Sequence, residues 1–146
     1  MATQYKATDI AEYFLWKANQ DDQELLSNMK LQKLLYYAQG LHLVTTDSLL
    51  FEETIEAWTY GPVVPSLYHC YKEHGANGIP SSTEFDPLSI DEDTRDFLDE
   101  IYEVFGQFSA IRLMEIAHSD KCWEDIGNEI TTDSMKECLK KYLKNG

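Results

Sequence analysis

The run Lys30-Leu31-Gln32-Lys33-Leu34-Leu35-Tyr36-Tyr37-Ala38-Gln39-Gly40 sets leucines at 31, 34 and 35 and an alanine at 38, the spacing at which side chains share one face of an α-helix. Ser27 or Asn28 suits the cap ahead of it, and His42 extends the same side. This pattern predicts a long central helix with Leu31, Leu34 and Leu35 inward and Lys30, Gln32 and Lys33 as its polar positions. On that reading a charge reversal at Lys33 leaves the domain folded. Gly40 lowers helix propensity by roughly 1 kcal/mol relative to Ala, so its presence points to close packing or a bend.

Upstream, Thr8 or Asp9 is placed to cap a first helix bearing Ile10, Phe14 and Ala18. Downstream the period changes. Ile55, Ala57 and Thr59 alternate with Glu56, Trp58 and Tyr60, which predicts a strand with a short hairpin back to residues 49–51. Gly61 and Pro62 end that strand, and a helix opening near Pro65 carries Val64, Leu67, Tyr68 and Tyr71 as its apolar stripe as far as Gly75. Residues 76–88, with Gly78, Pro80 and Pro87, read as a surface loop. Three further helices are expected: from Ser89 to Gly106 with Leu98, Ile101, Tyr102 and Phe105 inward, from Ser109 to Ala117, and from Asp133 with Met135, Cys138, Leu139 and Tyr142 inward. The fold class is therefore mainly α (α+β): a single compact helical domain over residues 1–146, of about six helices with a small antiparallel β element.

The chain has 146 residues, the length of one domain, with ordinary globular proportions of hydrophobic (43%) and charged (26%) residues, which excludes collagen-like and disordered classes. Its formal net charge of −14 opposes direct nucleic-acid binding, because phosphates must be met by clustered cations and only Arg95 and Arg112 are arginines. Such a charge suits encounter with a basic partner, or simply solubility. The opening residues lack a secretion signal, and no apolar run approaches the ~20 residues of a membrane helix. A cytoplasmic protein without a membrane partner is expected, with Cys70, Cys122 and Cys138 as reduced thiols.

Catalytic motifs are missing: there is no GxSxG, no Gly-rich phosphate loop and no HExxH. We assign no catalytic residue, no cofactor and no metal, and expect a protein that is not an enzyme. Cys70 with His74, and His118 with Cys122, fall four apart on predicted helices and would make a Cys2His2 set if the two helices met. Separate core or surface roles are the simpler reading. The acids Asp91, Glu92, Asp93, Asp96, Asp99, Glu100 and Glu103 divide between a helix N-terminus that favours negative charge and a solvated face. The aromatics Tyr36, Tyr37, Trp58, Tyr60, Tyr68 and Tyr71 are core material, and any that stay exposed are protein-contact anchors.

The run from Lys30 to Gly40, followed by Glu56-Ala57-Trp58-Thr59-Tyr60-Gly61-Pro62-Val63-Val64-Pro65 and by Leu67-Tyr68, resembles the Panacea family, also described as SocA-like antitoxin or GepA-like phage-associated domains. Ser109, Leu113, His118 and Trp123 are similar to its C-terminal signature, in which the residue before the tryptophan is often Pro and here is Cys122. The resemblance implies an antitoxin-type protein of a toxin–antitoxin system, bacterial or encoded by a phage or prophage, that neutralises a cognate protein toxin by direct contact. Little of the chain lies outside it, so no separate DNA-binding module is expected. The residues that the resemblance marks for motif or partner contact are Lys30, Gln32, Lys33, Tyr36, Tyr37, Glu56, Trp58, Tyr60, Gly61, Pro62, Tyr68, His118 and Trp123. Glu56 is either a partner for a motif lysine or an ordinary surface charge. The alternatives are an adaptor that delivers a bound protein to a bacterial protease, a small-ligand or enzymatic domain around Trp58, Tyr60 and His118, and, prompted by the acidic helix alone, a DNA mimic.

Overall fold

The structure, a computed structural model, describes residues 5–20, 25–58, 61–74, 77–80, 84–118 and 129–140. Among them are six α-helices and a small sheet: α1 (Ala7–Gln20), α2 (Asn28–Thr46), β1 (Ile55–Trp58), β2 (Gly61–Val63), α3 (Pro65–Tyr71), α4 (Glu92–Phe105), α5 (Ala110–His118), β3 (Glu129–Ile130) and α6 (Thr132–Leu139). The sheet is antiparallel in the order β2-β1-β3, with Trp58 opposite Gly61 and Ile55 opposite Ile130. This is the mainly helical α+β architecture that the hydrophobic periods predict.

Helix α2 is the axis of the molecule. Ser27 caps it, its Oγ accepting from the Lys30 N–H at 3.2 Å. Its far end closes on Asp47 in the left-handed region (φ 58°), whose N–H reaches the Leu43 carbonyl. Helices α1, α3, α4, α5 and α6 and strand β2 all pack against it. Every residue from 31 to 41 is consequently buried, Gln32 and Lys33 at 0% exposure among them. Lys33 is therefore an internal residue. A charge reversal there would set a carboxylate inside the packed core and does not leave the fold untouched.

Gly40 marks a close approach. A Cβ built there would fall 2.0 Å from Leu139 Cδ1, so α6 crosses α2 where a side chain has no room. The stacked rings of Tyr37 and Phe105, 4.2 Å apart and 6° from parallel, fasten α4 to the same helix.

The hairpin differs from its expected form. Strand β1 pairs with β2 and β3, and residues 49–51 stay outside the sheet. Their backbone is occupied by α2: Gln39 Oε1 accepts from the N–H groups of Leu50 (2.8 Å) and Phe51 (3.3 Å), and Gln39 Nε2 donates to the Phe51 carbonyl (2.6 Å). Gly61 and Pro62 start β2 where a strand end was expected. Helix α4 begins after Asp91, which accepts from the Thr94 N–H and hydroxyl, and not at Ser89, the last residue of a short 3-10 turn. Thr131, not Asp133, caps α6, whereas Ser109 caps α5 by accepting from the Arg112 N–H. Residues Gly75, Cys122 and Tyr142 lie outside the described residues.

Candidate functional site

The polar letters of the Lys30–Gly40 run form an internal framework around the β2–α3 turn. Gln32 Oε1 accepts from the Val64 N–H (2.9 Å), Gln32 Nε2 donates to Asn28 Oδ1 (2.9 Å), and Asn28 Nδ2 donates to the Tyr68 carbonyl (3.1 Å). Both amides are buried, and a buried N–H left without its acceptor costs ~1–3 kcal/mol. The chain of bonds therefore fixes where β2 turns into α3. Lys30 Nζ donates to the Gly106 carbonyl at the close of α4. Tyr36 and Tyr37 are buried, edge to face with each other at 5.1 Å.

Lys33 stands apart within this framework. Its Nζ has no hydrogen-bond partner among the described residues, and burial pushes the amine down to about 8. Its stem lies against Gly61, where a Cβ would sit 2.1 Å from Lys33 Cε. Gly61 is also at φ 119°, a conformation that strains any residue with a side chain. The glycine is thus required by its backbone angle, and a Cβ there would also displace the end of the Lys33 side chain. Pro62 is buried in the same strand, opposite Ala57.

Part of the marked set reaches the surface. The two-residue period of β1 buries Ile55 and Ala57 and turns Glu56 and Trp58 to the other side, both half-buried. Helix α3 buries Leu67 and Tyr71 and leaves Tyr68 half-buried and His69 exposed. The Trp58 ring meets Tyr68 edge to face at 5.1 Å, and His69 lies 6.4 Å from Trp58 and 5.9 Å from Tyr68. Trp58 Nε1 donates to Glu56 Oε1 at 2.9 Å, so the carboxylate answers the indole and not a motif lysine. The result is a cluster of ring faces beside a carboxylate, a chemistry that accepts a guanidinium or ammonium group. His69 was not singled out in the sequence, although its place beside Tyr68 on a helix with inward Leu67 and Tyr71 already set it on the outer side.

Tyr60 and Trp123 lie outside the described residues; His118 closes α5, and its side chain also falls outside them. Cys70 is exposed on α3, but His74 sits in the 3-10 turn that follows, so the four-residue spacing does not run along one α-helix. Gln39 and Asn28, which hold two of the connections to α2, were missed as functional positions. The signal for Gln39 was a polar amide embedded in an otherwise apolar run, whereas Asn28, between Ser27 and Lys30, carried none beyond its place at the start of the helix.

The family model described as Antitoxin SocA-like, Panacea domain matches residues 31–124. The chain belongs to this family. Among curated proteins, Antitoxin SocA of Caulobacter vibrioides is 33% identical over 114 residues, covering 70% of this chain and 61% of the relative. The chain thus spans about three fifths of the relative's length. No solved structure matches. The segment matched to the Panacea domain takes in most of α2, the β1–β2 hairpin, α3, α4 and α5, so the ring cluster and, of the polar framework, Gln32, Lys33 and Gln39 lie inside it, with Asn28 and Lys30 just ahead of it. Among the described residues, no helix is long and apolar enough to cross a membrane.

Proposed function

We propose that this chain is an antitoxin-type domain that neutralises a cognate protein toxin in the bacterial cytoplasm by covering it, without catalysis. The observation that carries the reading is the Glu56–Trp58–Tyr68 cluster: within a Panacea domain, these marked side chains combine accessibility with the rings and charge of a binding anchor. Gln32 holds the β2–α3 turn that presents them, with Gly61 and Pro62 in the adjoining strand and Lys33, Tyr36 and Tyr37 buried in the helix behind it. The net charge of −14 favours a basic toxin and a fast encounter.

Co-expression with the product of the neighbouring gene tests this. Rescue of growth and co-purification as a complex are expected; absence of both contradicts the proposal. An intact domain carrying Trp58→Ala should rescue poorly.

A further inference from the structure

Away from the ring cluster, helices α2 and α4 leave an open apolar groove of about 260 Å³. One wall is Leu41 and Thr45 in the last turns of α2, and the other is Phe97, Ile101 and Val104 along α4, with Glu100 among the lining residues. The positions on α4 follow i, i+4 and i+7, two helical turns or ~10 Å of lining. Val104 is 52% exposed, one of three large aliphatic side chains left in solvent among the described residues.

The charge around the groove has one sign. Asp93, Asp96, Glu100 and Glu103 form the neighbouring stripe of α4 at three- and four-residue spacing, and all four are exposed. The opposite wall ends at the C-terminus of α2, where aligned carbonyls carry partial negative charge. Among the described residues, no lysine or arginine lines the groove. The lysines that α6 brings towards that end are already paired, Lys136 with Asp47 and Lys140 with Glu137. Asp99 is the exception on α4: it faces α1, accepting from the Tyr13 hydroxyl at 2.6 Å with Lys17 at 3.5 Å, and leaves the rest of the stripe to solvent.

We infer that the α2–α4 groove is a docking site for an amphipathic helical segment of a partner protein, its apolar side against Phe97, Ile101 and Val104 and its basic flank against the α4 carboxylates. A second copy of this chain is a poor occupant, because it would set one acidic stripe against another. The site goes beyond the toxin-neutralising reading, since it uses no residue of the ring cluster and does not depend on which protein that cluster meets.

The probe is a fluorescent peptide of about 15 residues, leucines at i, i+3, i+4 and i+7 and arginines between them, titrated into the full chain and followed by anisotropy. A control peptide of the same composition alternates Leu and Arg and so has no apolar helical face. The first peptide is expected to bind at least about tenfold tighter than the control. Val104→Arg should weaken it by at least about tenfold, whereas Ile111→Arg, equally a gain of one positive charge at an exposed aliphatic outside the groove, should change it less than about threefold. Thr45→Arg, exposed on the α2 wall, repeats the test from the other side should Val104→Arg not fold. Equal binding of the two peptides, or equal losses in the Val104 and Ile111 variants, would reduce the groove to unspecific charge attraction and overturn the inference. Sedimentation showing a dimer that Val104→Arg dissolves would overturn it in favour of a second copy. Neither result bears on rescue in the toxin co-expression assay.

Discussion

Helices α2 and α4 draw on the same alphabet of leucine, tyrosine and charge, yet one hides its polar residues and the other displays them. Helix α2 is enclosed by five helices and a strand, so Gln32, Lys33 and Gln39 must find internal roles. Two of them do so by bonding backbone groups of the segments that wrap the helix. Helix α4 buries Leu98, Ile101 and Phe105 along one stripe and leaves most of its acids in water. A polar residue on a helix is therefore surface only where nothing packs over it, and number of neighbours, not composition, separates framework from contact surface.

Substitutions sharpen that contrast in order of size. Gly61→Ala should be among the most damaging, at about 3 kcal/mol, chiefly through the strained backbone angle, with the end of the Lys33 side chain displaced as well. Urea unfolding reads this as a lowered midpoint at unchanged slope. Gln39→Ala removes three bonds to residues 50 and 51 and should cost about 3 kcal/mol in the same measurement.

Lys33→Met carries the opposite sign. Burial holds the amine at about 8, below its ordinary 10.5. Between those two values the unfolded chain binds a proton that the folded chain does not, so stability rises with pH across that window. Below pH 8 the buried ammonium costs about 3 kcal/mol. Lys33→Met should therefore raise stability at pH 7 by about 2 to 3 kcal/mol, and its advantage over the native chain should shrink as the pH climbs towards 10.5, compared by urea midpoints at each pH. At the small end, Glu103→Gln on the exposed stripe should move stability by no more than about 0.5 kcal/mol.

The sequence made the elements legible where one period dominates. The leucines of α2, the alternation of β1 and the stripe of α4 were all readable, because each buries at least one face against a neighbour. Residues 49–51 were misread as a strand because a β-like run does not reveal that Gln39, ten or more residues upstream, takes its hydrogen bonds. Lys33 was misread for a related reason: a lysine beside glutamine looks solvated until the elements that cover it are known. The ring cluster was half legible. Trp58 and Tyr68 were marked, whereas the partner of Glu56 and the place of His69 depend on how β1 and α3 lie together.

The most direct test of the account is a pair of titrations of the neighbouring gene product, against Trp58→Ala and against Lys33→Met, each variant first shown to be folded. The account predicts an affinity lowered at least about tenfold for Trp58→Ala, the loss of a ring anchor, and native affinity for Lys33→Met. Native affinity in the Trp58 variant together with lost binding in the Lys33 variant would contradict it.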